Sequence, residues 1–421
     1  MRILIVTETY PPNINGAALA TERLAEELAK HGHHVAVIAP STAFKHYKSI
    51  DGNLTVYRVR SIIIQKNQKF RVSPQPLHAK EFKEIVREVQ PDIMHINNPG
   101  FLAQTAMSIA KQINIPIIGT SHFMPENITH YLHLPDQLEK FLNTSIWKIY
   151  TRFYSRLNLV ISPTQTAADL LTKLGVGTQV QVISNGIDLK KFNKNNNGEY
   201  LKERYKLPNK TTFLFVGRLD KEKCIDVLIK AVALIKNKAD FHVVIAGKGK
   251  EEVYLKELAS ELEVDSLITF TGYLPKKDLP FIYKVADIFV MPSIAELQSL
   301  VTMEAMATGL PVLGADAVAL PHLIKDKRNG FLFQPYDEKK LASRMLTLAN
   351  DKALVAKMSD ASQEIIQAHD MDQVVHKVEK AYESVIREYK AKVPEKKLLK
   401  RDVLRSHIKK LMPQHTGNLT K

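Results

Sequence analysis

Runs of aliphatic and β-branched residues recur along the chain, each followed by turn residues and then by a segment with helical periodicity. The first run covers residues 2–7 and suits a parallel strand buried on both faces. Residues 9–16 follow as a loop, with Pro11-Pro12 and Asn15-Gly16 as turn signals. Residues 17–31 read as a helix: Ala20, Leu24 and Leu28 share one face, and Gly32 sits where a C-terminal cap belongs. A strand at 34–39 completes a βαβ unit. Further strands are expected at 92–96, 116–120, 159–162 and 181–183. Asn185-Gly186 marks a tight turn, and the Asn-rich stretch 193–197 has no apolar periodicity, so it reads as a linker. A second series follows, with strands expected at 212–216, 241–246, 268–270, 288–291, 312–314 and 330–333. From about 337 to 390 the pattern is helical. The fold class is therefore α/β, with parallel sheets covered by helices on both faces.

The length of 421 residues suits two domains rather than one core. The apolar fraction of 45% is that of a folded globular chain. Net charge is +15, which implies affinity for anions: phosphates, acidic lipids or nucleic acid. The lone cysteine, Cys224, excludes an internal disulfide and fits a reducing compartment, where a small buried residue is the expected role. The opening residues MRILIVTE look like a strand rather than a signal peptide, and no run is long enough for a spanning helix. A cytoplasmic protein, peripheral on the inner face of a membrane, is expected. The tail from 391 carries nine Lys/Arg against two Asp/Glu. It fits a solvated tail; a narrow stripe of Leu404, Ile408 and Leu411 is the alternative case for an interfacial helix.

Three strand–loop–helix junctions carry candidate chemistry. In Tyr10-Pro-Pro-Asn-Ile-Asn-Gly16-Ala17, a glycine lets backbone approach a ligand, and the helix start offers N–H groups to an anion. It is neither a dinucleotide fingerprint nor a P-loop, and a glycine that merely turns the chain explains it equally. In Val216-Gly-Arg218-Leu-Asp-Lys-Glu-Lys223, two cations beside a helix N-terminus suit a diphosphate leaving group. A surface charge run is the plainer alternative. In Pro292-Ser-Ile-Ala-Glu296-Leu-Gln-Ser299-Leu300-Val-Thr-Met-Glu304, one carboxylate sits in the loop and the other inside the helix, placed to meet ligand hydroxyls.

In this order the three motifs resemble those of glycosyltransferase family 4, of the GT-B fold. Gly309-Leu-Pro311-Val, Pro91-Asp-Ile-Met-His95-Ile, Val182-Ile-Ser-Asn185-Gly186-Ile-Asp188, Ile245-Ala-Gly247-Lys-Gly249 and Phe270-Thr-Gly272-Tyr agree with it. The resemblance implies two Rossmann-like domains facing a cleft: 1–192 on the acceptor side and 193–366 on the nucleotide-sugar side. A helix at 367–390 returns to the N-terminal domain, and 391–421 forms the basic tail. It also implies site roles. Gly16 lies near the donor phosphate, Arg218 and Lys223 neutralise the diphosphate, and Glu304 binds ribose. Glu296 holds the transferred sugar, and the backbone around Ser299 and Leu300 caps the phosphates. His122, in Gly119-Thr-Ser-His122-Phe, contacts the donor sugar or supports the reaction centre. The sequence departs from the family at Leu297, Gln298 and Ser299, where an aromatic and glycines are common, and at Ala17 and Cys224, where glycine is frequent.

The implied activity is retaining hexosyl transfer from a UDP- or GDP-sugar, with no cofactor and no metal. No carboxylate is placed as a nucleophile, and Asp370-Met-Asp372 reads as a helix cap. Histidines show no zinc spacing. A lipid acceptor such as diacylglycerol and an anionic membrane surface are expected partners. The grounds are residues 58–71, which mix Ile62, Ile63, Ile64 and Phe70 with Arg58, Arg60, Lys66, Lys69 and Arg71, and the stretch Ser121-His-Phe-Met-Pro-Glu-Asn127, which looks like lipid glycosyltransferases. A polysaccharide or small soluble acceptor is the alternative. A nucleotide-sugar epimerase, a phosphorylase and a basic nucleic-acid-binding protein are competing classes; no helix-turn-helix, zinc-finger or RNP-like pattern supports the last.

Overall fold

The computed structural model describes residues 1–13, 15–65, 70–122 and 136–392. Among them, two sheets organise the chain. The first has eight strands in the order β10-β9-β8-β7-β1-β2-β4-β3. These are β1 (Arg2–Thr7), β2 (His34–Pro40), β3 (Tyr47–Asp51), β4 (Leu54–Val59), β7 (Ile93–Asn97), β8 (Ile117–Thr120), β9 (Leu159–Ser162) and β10 (Val180–Val182). All pairs are parallel except β3 with β4. A separate hairpin joins β5 (Ile62–Gln65) to β6 (Phe70–Val72). The second sheet is wholly parallel, in the order β13-β12-β11-β14-β15-β16. Its strands are β11 (Thr211–Val216), β12 (Phe241–Ala246), β13 (Ile268–Gly272), β14 (Ile288–Met291), β15 (Val312–Ala315) and β16 (Gly330–Phe333).

The parallel strands form where expected because period-2 alternation feeds two cores at once. Ile3, Ile5, Val35 and Val37 face the core beside the first helix (Gly16–Lys30), and Leu4, Val6, Ala36 and Ile38 face the opposite one. Each of the valine, leucine and isoleucine side chains among them contributes about 1.5–3 kcal/mol relative to exposure.

Both sheets are doubly wound. In the second, order reverses beside β11, whose neighbours are β12 and β14; in the first it reverses beside β1, whose neighbours are β2 and β7. Ligands bind in such folds outside the strand ends at these reversal points. The three candidate motifs follow β1, β11 and β14, so chain topology alone gathers them at the two reversal points.

The C-terminal helix (Met371–Lys392) crosses back onto the first domain. Val374, Val375, Val378, Tyr382 and Val385 share one core with Ile3, Ile5, Ala25 and Leu28. The crossing uses two adjacent segments. Ile187 N–H donates to the His369 carbonyl (2.9 Å), and Met371 N–H donates to the Ile187 carbonyl (3.0 Å). Gly186 has φ +76°, and a side chain there would run into Met371, which accounts for the Asn-Gly signal. Asp370 occupies the residue before the helix, and its carboxylate accepts from the Met371 and Asp372 backbone, as a cap does.

One expectation is corrected. Arg58, grouped with surface cations, is buried. It donates to the carbonyls of Pro40 and Pro11 and stacks over the Tyr10 ring at 5.2 Å. It braces the loop after β1 instead of facing a membrane. Lys66 and Lys69, the segment 123–127 and the tail from 393 lie outside the described residues, as do the surroundings of the Phe70 side chain.

Burial holds several histidines neutral. His95 is pushed down to about 3, by burial first and then by His122; burial also lowers His122 and His369 to about 4. Above about pH 6.5 the unfolded chain is neutral at these positions too. Below it, the unfolded chain binds protons that the folded chain refuses, so stability falls as pH drops from about 6.5 toward 4. Unfolding temperature measured against pH is expected to decline through that window. A flat profile there would show that the histidines titrate alike in both states.

Candidate active site

The loop after β11 is shaped by glycines on its neighbour. A side chain at Gly247 would collide with the Gly217 carbonyl at 1.8 Å, and one at Gly249 with the Leu219 carbonyl at 2.1 Å. Only bare backbone lets the β12 loop pass this close, and the Leu219 N–H is then bound by the Lys248 carbonyl (3.0 Å). Arg218 is thereby fixed at the strand's end. Its guanidinium pairs with Asp220 and with Glu222, the latter at 2.8 Å. A short 3-10 turn, Lys221–Lys223, follows, and Cys224 closes it with φ +50°. That left-handed conformation explains why glycine suits the position. The Cys224 thiol is buried and pushed up to about 11, by burial first and by Asp226 and Glu222 next, which disfavours the thiolate.

Lys223 reaches the loop after β14 and bonds Glu296 directly; both side chains are mostly buried, at 15% and 13% exposure. The two loops are laced together further. The Glu222 carbonyl accepts from Ile294 N–H (3.1 Å) and the Ser293 hydroxyl (3.2 Å). Ser299 caps the helix Leu300–Ala307, its hydroxyl accepting from Thr302 N–H. The first-turn N–H groups, beginning with Leu300, are therefore oriented at the β11–β14 reversal point. Glu304 lies one turn further in and is almost wholly buried (1% exposed). Tyr283 donates to one of its oxygens (2.6 Å), and Arg23 from the first helix bonds the other.

On the opposite side, Gly16 begins the first helix, capped by the Asn15 side chain, which accepts from Ala18 N–H at 2.8 Å. A side chain at Gly16 would meet nothing within 4 Å, so packing does not require the glycine. His122 holds the Asn98 side chain through its backbone N–H (3.2 Å) and lines a small cavity with His95, Thr120, Ser184 and Asn185. Ser184 and Asn185 are bound by Gln298, and Thr164 donates to the Leu297 carbonyl (3.1 Å). His122 is thus one residue shell from the carboxylate loop.

The structure brings Lys223 and Glu296 into contact and sets Arg218, Ser299, Leu300 and Glu304 around the same reversal point. Gly16 and His122 stand on the facing domain. Arg23, Tyr283 and Gln298 were not assigned roles from sequence. Arg23 carries a further mark of a ligand site: its Nη1 is buried with no hydrogen-bond partner, an arrangement that costs about 1–3 kcal/mol unless a ligand accepts from it. Gln298, a departure from the family pattern, ties the carboxylate loop to the crossing segment, where Ser184 also meets His369 at 2.8 Å.

Sequence models of two domain families match in turn. "Glycosyltransferase Family 4" matches residues 14–191, and "Glycosyl transferases group 1" matches residues 198–365. An alpha-monoglucosyldiacylglycerol synthase of Streptococcus pneumoniae is 32% identical over 357 residues, 82% of this chain and 78% of that protein. The chain belongs to the family 4 glycosyltransferases. A second alpha-monoglucosyldiacylglycerol synthase, from Acholeplasma laidlawii, is 26% identical over 80% of this chain and 86% of its own. A GDP-mannose-dependent alpha-mannosyltransferase of Corynebacterium glutamicum is 27% identical over 80% and 78%. Among solved structures, a sucrose-phosphate synthase from Thermosynechococcus elongatus superposes with TM-score 0.78 at 20% identity, covering 92% of this chain and all of that one. That likeness shows the GT-B fold. This glycosyltransferase is a hexosyltransferase that draws on a nucleotide-sugar donor.

Proposed function

We propose that this glycosyltransferase transfers a hexose, with retention of anomeric configuration and without a divalent cation, from a nucleotide diphosphate sugar to a membrane lipid such as diacylglycerol. The observation that carries the acceptor is the outer face of the helix Asp136–Tyr154. Leu138, Phe141 and Ile149 are exposed at 44%, 67% and 63%, beside exposed Lys140, Lys148 and Arg152. Ile62, Ile63 and Ile64 of the β5 strand are exposed as well, beside Arg60. Apolar side chains interleaved with cations suit the headgroup region of an anionic bilayer. Among the described residues no helix is long and apolar enough to cross a membrane, so the enzyme would sit on the inner surface and take its acceptor from there. The two diacylglycerol synthases support the same choice.

In the proposed reaction the acceptor hydroxyl attacks the anomeric carbon on the face from which the diphosphate departs. The glycosidic C–O bond forms as the sugar–phosphate bond breaks. The acceptor proton passes to a phosphate oxygen of the leaving nucleoside diphosphate. Lys223 and Arg218 exchange their carboxylate partners for the diphosphate and stabilise its charge, with the Leu300 helix terminus behind them. Glu296, released from Lys223, holds sugar hydroxyls, and Glu304 holds the ribose. His122, kept neutral by burial, offers a hydrogen bond without a charge.

The test uses purified full-length enzyme in EDTA with UDP- and GDP-sugars, with or without anionic liposomes containing diacylglycerol. Nucleotide release is expected only with liposomes. The triple variant Leu138→Ser, Phe141→Ser, Ile149→Ser is expected to lose at least tenfold in liposome-dependent rate. Equal release with a soluble polyol or glycan and no liposomes would replace the lipid with a soluble acceptor. Release that requires added metal would overturn the metal-free mechanism.

A further inference from the structure

The end of the first helix and the side of the C-terminal helix carry a second cluster, remote from the site above. His31 caps the first helix at its C-terminus. His376 and Glu379 are three residues apart on the C-terminal helix and so share a face. His31 Nδ1 lies 3.0 Å from Glu379 Oε1, and His376 Nδ1 lies 3.2 Å from Glu379 Oε2. All three ligand atoms fall within 4.8 Å of one another. The His31 and His376 rings meet edge-on, with centroids 5.8 Å apart. Beside the cluster, His33 puts Nε2 at 2.9 Å from Glu379 Oε1, while its Nδ1 faces the amino group of Met1 at 3.1 Å, and it orients the carboxylate.

From this geometry we infer a transition-metal site in which His31, His376 and Glu379 hold one Zn²⁺ ion, with water in the fourth position. Imidazole nitrogen with a single carboxylate selects zinc and its neighbours over magnesium or calcium, which require oxygen shells. Ligand atoms in a tetrahedral zinc site stand roughly 3.3–3.6 Å apart at bond lengths of about 2.0–2.2 Å. The His31–Glu379 and His376–Glu379 separations, 3.0 and 3.2 Å, lie just below that spacing, and the two imidazole nitrogens lie within 4.8 Å of each other, so side-chain rotations bring all three onto one ion. His376 is 69% exposed, which gives the ion a path in.

The site is structural. It lies at the far end of the first helix from Gly16, and a 15-residue helix is about 22 Å long. The ion clamps the returning C-terminal helix to the domain on which it docks, and takes no part in sugar transfer.

The experiment uses untagged full-length enzyme, stripped with EDTA and dialysed. Calorimetric titration with ZnCl₂ at neutral pH is expected to show one ion per chain, with a rise in unfolding temperature. Co²⁺ should give the visible absorption of a four-coordinate site. His376→Ala and Glu379→Gln are each expected to weaken binding about 10–100-fold. His46→Ala, an exposed histidine elsewhere, should leave it unchanged. Absence of saturable binding, or equal affinity in Glu379→Gln and wild type, overturns the site. Nucleotide release in EDTA should match that of the zinc-loaded enzyme, and a rate that depends on the ion would overturn its purely structural role.

Discussion

Lys223→Ala is expected to lower kcat by roughly 10²–10³-fold, the usual cost of removing one fixed donor from a developing anion. Lys223 is mostly buried at the end of a short turn, and Glu296 holds its ammonium at the reversal point of the second sheet. Its charge is therefore in place before the donor arrives, and it acts where screening is weak. Because the stabilised charge grows as the sugar–phosphate bond breaks, kcat and kcat/KM should fall together. Lys223→Arg keeps the charge but brings a wider planar fork into a space shared with Glu296, so it should rescue only partly. Steady-state nucleotide release together with donor binding by calorimetry checks this. Weaker donor binding with unchanged kcat would limit Lys223 to ground-state binding.

Tyr382→Ala carries the largest expected stability effect. The ring is fully buried between the C-terminal helix and the first sheet, and its hydroxyl meets His95 Nδ1 at 2.7 Å. Truncation of a buried aromatic costs about 3–5 kcal/mol. Tyr382→Phe keeps the ring and removes only the hydroxyl, leaving a buried imidazole nitrogen unpaired, for about 1–3 kcal/mol. His95 has its other nitrogen on Thr120 at 2.6 Å, so it cannot turn to find a new partner without losing that one. A two-domain enzyme need not unfold in one step. The loss should therefore be read in hydrogen exchange of the C-terminal helix as well as in urea unfolding. If both variants cost the same, the hydroxyl rather than the ring anchors the helix; if neither costs anything, the helix is not docked in solution.

The interior of both sheets was legible because parallel strands are covered on both faces and need unbroken runs such as those at β1, β12 and β14. The β3 and β5 strands are not legible, for the opposite reason, while β4 is buried but interrupted by Thr55 and Arg58. At the sheet edge β3 is largely exposed and carries Lys48 and Ser49 between Tyr47 and Ile50, so it has no run to read; β5 shows three isoleucines to solvent. Arg58 has the composition of a surface residue and was misplaced, since nothing local tells that Pro11 and Pro40 lend it carbonyls. At the site, Glu296, Glu304, Arg218 and Lys223 were legible because each lies within a few residues of a strand end. Arg23 was not, because it sits two turns into an amphipathic helix and its partner Glu304 is 281 positions away. Gln298 was visible as a departure, but its role depends on Ser184 and Asn185, which only the fold brings near.

The doubled crossing between the halves has a mechanical meaning. Segments around Ile187 and His369 run side by side and are bonded to each other, so the halves are joined by a ribbon and not by a string. A ribbon flexes readily across its flat side and resists bending in its own plane. Any closing of one half on the other would then be guided near one axis, with Lys223 and His122 carried on opposite sides of it.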